Sequence, residues 1–524
     1  MDCSNTQPAS APAAIIKGNN SALNNPNSIS FSPATSGNNR RCLAIANFLN
    51  NTVAIYSVDC TNAQSTPQLI TVLDATTSMI NGPQVVVFAP FDPVTNTSCL
   101  AVFNLRDTPG TITIYSIDCT TSLASPPAPI INIPTSIMEG VASNFRSLAF
   151  SQLNTITGSA CLAVSNATDG ANTSVFIYSI NCRNPQATSL TPTTVIDAET
   201  GQLTGLPVSL AFSPLTANGT SCLAVANSNS LEPNNSTVTI YTIDCSTPSS
   251  ASPAPFVVLD NAISGINNAV SVAFSTSGCL AVANAGASGT GSDSTVTLYA
   301  LECGQPSGPL APSATLNSTS GINVTAFQRG IDFSPNGCLA VSNLNNVTIY
   351  KINSDCTTQT NPALPVVTLD GSSITNPANL SYSVDNCLAV INTNGQQPGV
   401  VIFRSTQQIP ITPTLAVDTS NCPTITFSGT TDPNVSVTIF SANSSPIAST
   451  QSDSNGNFSV SSQLANGTYS FTAQASNATN CMSALSSEVT VQINCQPTPT
   501  VTPLPINKKF SCLARAILNK YCRN

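Results

Sequence analysis

Residues 222–245 read CLAVANSNSLEPNNSTVTIYTIDC, an apolar run, a polar middle and a second apolar run, with a cysteine at each end. Versions of this phrase recur along the chain, so the search for internal repeats comes before any local assignment. The CLA-type run begins at Cys42, Cys99, Cys161, Cys222, Cys279, Cys338 and Cys387, seven copies spaced 49 to 62 residues apart. Each copy is preceded by a short run ending in an aromatic, which aligns Phe31, Phe88, Phe150, Phe212, Phe274, Phe333 and Tyr382. Each is followed by a turn-rich loop and a β-branched run that aligns Tyr56, Tyr115, Tyr178, Tyr241, Tyr299, Tyr350 and Phe403. A fourth apolar segment, such as QLITVLD or PFVVLD, ends most copies. Val, Ile, Thr and Tyr suit a pleated half-buried surface, and Asn, Ser, Gly and Pro clusters mark turns. Four strands per unit, seven times over, predict a β-propeller.

The phrases FSPNGCLAVSN (333–343) and AFSTSGCLAVAN (273–284) resemble the repeat of YVTN and WD40-like propellers. Tyr or Phe stands where classical WD repeats carry Trp, which makes the resemblance closer to the YVTN type. It covers roughly residues 11–407 and implies fold far more than activity. Ring closure can be tested within the sequence. The seventh copy ends at FRSTQQIP with no fourth strand, while APAAIIKGNN near the N-terminus resembles a fourth strand lacking a copy. An N-terminal strand that completes the last blade would remove an exposed edge.

From about Ile409 the pattern changes to short strands with turns every 8–12 residues. FSGTTDPNVSVTIF (427–440) and DSNGNFSV with LANGTYSFTAQA (453–475) resemble a bacterial immunoglobulin-like module. QPTPTVTPLP (496–505) reads as a stiff spacer. KKFSCLARAILNKYCRN (508–524) places Leu513, Ile517 and Tyr521 at helical spacing beside five basic residues. The expected organisation is all-β. It comprises a seven-bladed propeller over 1–407 closed by an N-terminal strand, an Ig-like β-sandwich over 408–496, a Pro/Thr-rich linker over 497–507 and a short basic helical tail over 508–524.

Nineteen cysteines are the second strong signal. In six copies a cysteine opens one strand and another ends the next, which predicts hairpin disulfides 42–60, 99–119, 161–182, 222–245, 279–303 and 338–356. The seventh copy has Cys387 but Gln407 where a partner would stand, so Cys3 is assigned to Cys387. Strand parity in the Ig-like region pairs Cys422 with Cys495. Cys481, Cys512 and Cys522 stay unassigned, and the odd total leaves at least one cysteine without a partner in this chain. Buried free thiols and thiolate metal ligands are the competing explanations, and the absence of CxxC pairs argues against metal. Disulfides imply an extracellular or cell-surface setting.

Composition narrows the function. Only 7% of residues are charged, against about 25% in ordinary soluble proteins, and the net charge of −9 offers no basic stripe for nucleic acid. The chain has no His, which removes Ser-His-Asp and Cys-His catalysis and His-ligated metals. MDCSNTQPAS lacks the apolar region of a signal peptide, and no run reaches the about 18 apolar residues of a membrane span. Arg146 and Arg329 begin the first strands of copies three and six, where they could hold an anion at the channel mouth, and Asp332 shares a strand with Arg329. Solvated or internally paired arginines are the plainer alternative. The resulting expectation is a secreted, disulfide-stabilised protein for binding, adhesion or assembly. Its partner is a protein or glycan surface, it carries no cofactor and no metal, and its tail serves self-assembly or attachment. It is not expected to be an enzyme, the alternative being a lactonase-like propeller hydrolase with its site at the central channel.

Overall fold

The structure is a computed structural model that describes residues 12–495, apart from short stretches at 18–22, 34–39, 61–64, 93–97, 108–109, 120–124, 135–144, 155–156, 168–172, 216–219, 230–231, 245–251, 288–290, 306–309, 326–329, 361, 371–373, 394–398, 405–409, 442–445 and 477–481. The chain divides into two compact units, Met1–Gln408 and Ile409–Asn524. Among the described residues both are all-β, with no α-helix. Among the described residues no helix is long and apolar enough to cross a membrane.

Among its described residues the first unit contains seven four-stranded antiparallel sheets. In the first, Pro26–Phe31, Arg40–Asn47, Thr52–Asp59 and Gln68–Leu73 lie side by side in chain order. The same order recurs in sheets whose first strands are Pro83–Phe88, Phe145–Phe150, Leu206–Phe212, Ala269–Phe274 and Ile331–Phe333. The seventh begins at Pro377–Tyr382, continues through Leu388–Asn392 and Gly399–Phe403, and takes its fourth strand from the other end of the chain. Ala14–Lys17 pairs antiparallel with Gly399–Phe403 in the register Ala14↔Ile402 to Lys17↔Gly399. First strands touch those of the sheets before and after them, and the seventh touches the first, which closes the cycle. This is a propeller-like architecture.

The repeated CLAVAN-type strand explains how the sheets stack. Side chains alternate between the two faces of a strand. In the first sheet Cys42, Ala44 and Ala46 face one neighbour, and Leu43 and Ile45 face the other. The small face of each sheet meets the large face of the next. Cys42, Ala44 and Ala46 pack with Leu100, Val102 and Tyr115, and Cys222, Ala224 and Ala226 pack with Leu280, Val282 and Tyr299. At the seam Cys387 and Ala389 of the seventh sheet pack with Leu43, Ile45 and Tyr56 of the first. A strand buried on both faces reads as a continuous apolar run, which is why these segments lack the alternation of a half-exposed sheet.

The same alternation overturns the hairpin disulfides. Cys42 lies opposite Ser57, Cys99 opposite Ser116 and Cys279 opposite Ala300. The closing cysteines Cys60, Cys119 and Cys303 stand three residues beyond those partners. That is about 10 Å along the strand, and an odd offset puts the side chain on the opposite face. A hairpin bond cannot form, and each cysteine instead meets the neighbouring sheet. The bonds are Cys42–Cys119, Cys99–Cys182, Cys222–Cys303, Cys279–Cys356 and Cys60–Cys387, with Cα separations of 5.3–6.3 Å. Cys387 is therefore joined to Cys60 and not to Cys3. Cys161 and Cys338 are also disulfide-bonded. Cys3, Cys245, Cys481, Cys512 and Cys522 lie outside the described residues, as does the 508–524 tail.

The second unit has two sheets. Ala416–Asp418, Thr424–Thr430 and Asn457–Gln463 form one, and Pro446–Gln451, Ser436–Ser441, Gly467–Ser476 and Val489–Ile493 form the other. Ile425, Phe427, Val437, Ile439, Phe471 and Ile493 share their core. Phe427 and Phe471 meet edge to face at 4.9 Å, a favoured aromatic geometry. Cys422–Cys495 is bonded as strand parity requires.

Candidate functional site: the central channel

All seven first strands line one central cavity of about 490 Å³. Its wall is polar, with Ser28, Gln84, Ser147, Ser209, Asp332 and Asn379 among the lining residues. First strands have no hydrogen-bonded strand on their channel side, so their backbone N–H groups need other acceptors. Neighbouring sheets supply them through side chains. Ser28 Oγ accepts from Val86 N at 3.2 Å, Ser147 Oγ from Leu210 N at 3.1 Å and Ser209 Oγ from Val272 N at 3.2 Å. Ser30 Oγ accepts from Phe88 N at 3.1 Å and Ser381 Oγ from Phe31 N at 3.3 Å. This belt of amide-to-hydroxyl bonds joins sheets at four of the seven interfaces around the channel.

Asp332 takes the place of a serine in that belt. One carboxylate oxygen accepts from Phe333 N at 2.9 Å, and the other reaches across to Tyr382 N of the seventh sheet at 2.7 Å. It is the sole acid in the seven first strands. Burial pushes its carboxyl up to about 7, and the two backbone N–H groups pull the other way without cancelling that effect. Nearby, burial and the Asp332 charge together raise the Tyr382 hydroxyl. Gln84 Oε1, also on the channel wall, is buried with no hydrogen-bond partner among the described residues.

Of the three residues singled out in the sequence, Asp332 is on the channel wall. Arg146 belongs to the first strand Phe145–Phe150, but its side chain lies outside the described residues, as does the whole of Arg329. Gln84 and the serine belt were missed. The signal for the belt was present, because Ser recurs one or three residues before the first-strand aromatic in most copies.

The two ends of the strands differ chemically. The disulfides occupy the end where second strands begin. There Ser32, Ser151, Ser213, Ser275, Ser334 and Ser383 each accept from the backbone N–H of the cysteine that opens the second strand. Two ion pairs join neighbouring sheets at the same end, Arg41–Asp385 at 2.7 Å and Arg183–Asp92 at 2.5 Å. At the other end, the motif's terminal asparagine ties the incoming loop to the hairpin. Asn284 Oδ1 accepts from Asn267 N at 3.2 Å, and its Nδ2 donates to Thr295 and Thr297, both at 3.2 Å. The hairpin loops at this end are unequal. The first sheet passes from Asn47 to Thr52, and the fifth from Asn284 to Thr295.

No protein-family model matches the sequence, and no curated protein is similar to it. Solved structures are similar at the level of fold. The extracellular domain of BT4673 from B. thetaiotaomicron matches with 13% identity and a TM-score of 0.41, over 93% of this chain and 59% of that one. The chain thus spans about three-fifths of that domain's length. Penicillium chrysogenum α-L-arabinanase matches with 10% identity and a TM-score of 0.39, over 69% of this chain and 98% of that one. A glucose dehydrogenase matches with 13% identity and a TM-score of 0.34, over 75% and 99%. Two of these three are enzymes, and this corrects the expectation that the chain is not one. At such identities the likeness assigns no activity. The disulfides support an extracellular setting, since such bonds persist in oxidising compartments.

Proposed function

We propose that the chain is a secreted or surface-exposed binding protein, a seven-bladed β-propeller of YVTN-like type followed by an Ig-like sandwich over 408–496. The asymmetry between the strand ends carries this reading. One end is fixed by disulfides and ion pairs between sheets, and the other presents loops of unequal length on a uniform frame. Surface loops on a rigid scaffold are where recognition residues concentrate. A protein or glycan on another surface is the partner such a face suits. The 497–507 linker and 508–524 tail would then serve attachment or assembly.

The test is binding of the purified chain to arrays of glycans and extracellular proteins. Replacing the fifth-sheet hairpin loop, residues 285–294, by the short turn of the first sheet should remove binding while leaving the fold intact. Binding that survives loop replacement in every sheet would sink the reading. Asp332 favours a second reading, in which the channel holds a small ligand or substrate with Arg146 and Arg329 at its mouth. A carboxyl titrating near neutrality in a polar cavity is a recurrent mark of binding and catalytic sites. Loss of a measured ligand or turnover on Asp332→Asn would support it, and an unchanged response would remove it.

A further inference from the structure

At the hairpin-loop end, the first two sheets depart from the repeat in one small cluster. After the asparagine that closes the second strand, five copies continue with a small or aliphatic residue and then Thr, Asn or Gly. The first copy instead continues with Phe48 and Leu49, and the second with Leu105 and Arg106, the sole charged residue at its place in the seven copies. Met79 is a further departure. It follows Ser78, whose carbonyl accepts from the Tyr115 hydroxyl, as Gly265 follows Ser264 beneath Tyr299 and Gly321 follows Ser320 beneath Tyr350. The backbone is left-handed at all three, with φ of 58°, 71° and 84°, a conformation open to glycine and strained for methionine. At a fourth such place, after the Gly201 carbonyl that takes Tyr241, stands the polar Gln202.

Hydrogen bonds draw these segments together. Asn51 Oδ1 accepts from Gly82 N at 2.9 Å and from Arg106 Nη1 at 3.0 Å, and Arg106 N donates to Asn81 O at 3.1 Å. The guanidinium carbon stands 4.5 Å from the centre of the Phe48 ring, within cation–π reach. The arginine stem lies on Gly82, where a Cβ would come within 2.5 Å of Arg106 Cγ. Asp107, the adjoining acid, accepts from Asn81 Nδ2 and from the Thr111 hydroxyl, and among the described residues Arg106 makes no ion pair. The guanidinium is thus fixed by a glycine, a ring and an amide, yet the residue is exposed. On the segments beside it Leu49 is 52% exposed and Met79 47%.

We infer, on the reading that the hairpin-loop end is the recognition face, that this cluster anchors a second protein through a segment presenting a carboxylate to Arg106 and an aliphatic side chain to Leu49 and Met79. An arginine already held in one geometry loses little freedom when a carboxylate takes its remaining N–H groups. Arg and Met are enriched where proteins meet. A sugar ring would stack on an open aromatic face, but the Phe48 ring already carries the guanidinium and the two exposed side chains are aliphatic. Methionine where glycine would relax the backbone is strain kept at a binding position.

The probe is a random dodecapeptide library displayed on phage and selected on the intact chain. Enriched peptides are expected to carry Asp or Glu within two residues of Leu, Ile, Val or Met. Their affinity should fall about tenfold or more on Arg106→Ala and on Leu49→Ser, and should weaken with added salt. Met79→Gly separates recognition from folding, because it should weaken the peptides while its unfolding midpoint stays at or above that of the unaltered chain. A library that yields no binder, peptides without an acid, or peptides held as tightly by the Arg106→Ala chain overturn the inference. A dodecapeptide bound here should ignore replacement of residues 285–294. Peptides lost with that loop and not with Arg106 overturn the anchor and leave the recognition face standing, whereas peptides indifferent to every hairpin loop sink both.

Discussion

Removing the Cys60–Cys387 bond measures how much the ring depends on its covalent seam. The chain-entropy model gives the size from loop length. The 327-residue separation corresponds to about 19 cal/mol/K, or about 6 kcal/mol at 25 °C. The other disulfides survive in the unfolded chain and shorten the route between these two cysteines to about 130 residues through Cys99–Cys182, Cys222–Cys303 and Cys279–Cys356. That gives about 5 kcal/mol, because the dependence is logarithmic. Alanine is the replacement of choice at both positions, since the two side chains are buried and a serine hydroxyl there would need a partner. Urea unfolding of the Cys60→Ala/Cys387→Ala chain, followed without reductant, should show a loss of about 5 kcal/mol. Hydrogen exchange should quicken first in Gly399–Phe403, whose outer neighbour is the four-residue strand Ala14–Lys17. A Cys222→Ala/Cys303→Ala chain, with its 81-residue separation, should lose about 4.5 kcal/mol without that localised exchange. A seam variant that loses less than about 1 kcal/mol would refute the reasoning, because the N-terminal strand alone would then suffice to hold the ring.

Three further outcomes are expected. Asp332 has a folded value near 7 against about 3.9 unfolded, so between those values the folded state holds more protons than the unfolded one, and stability falls as pH rises through that window. Asp332→Asn keeps an oxygen for Tyr382 N and should flatten this pH dependence, gaining up to about 4 kcal/mol at pH 8 relative to pH 4; parallel slopes for both chains in urea would reject it. Arg183→Ala should lower the midpoint of thermal unfolding by removing the paired guanidinium from the buried Asp92, while replacing both partners by Met and Leu should recover most of the loss. Asn284→Ala removes one acceptor and two donor bonds at a fully buried position and should cost about 2 kcal/mol, read by the same assay against Asn317→Ala at an exposed turn.

The strands of each sheet were legible because CLAVAN, TVTIY and their relatives are long, apolar and β-branched. The stacking order was legible only in part. Alternation of Cys and Ala with Leu and Val marks two distinct faces, but nothing local says that the small face of one sheet meets the large face of the next. The hairpin disulfides failed at this point. Two strand ends lie close together in every hairpin, but the face to which each cysteine points decides the pairing. With Leu43 opposite Tyr56, Cys60 falls an odd number of residues past Ser57, the partner of Cys42, and the hairpin bond is excluded. At the channel, Asp332 was visible as the lone acid among first strands. Its bond to Tyr382 N was not, because that contact joins residues 50 apart and depends on the spacing of two separate sheets.

The wrap-around bond also changes how the molecule bears a load. Tension applied between the segment before Cys60 and the segment after Cys387 passes directly through the sulfur–sulfur link. The 327 residues of sequence separation, about 1,100 Å of chain when extended, carry none of it. Under such a pull the first unit can surrender only what lies outside that link, the residues before Cys60 and those after Cys387. A protease that cuts once in a loop between two stapled sheets likewise severs the backbone without releasing a fragment. Between Cys60 and Cys387 the ring behaves as a closed link whose length is fixed until that bond is reduced.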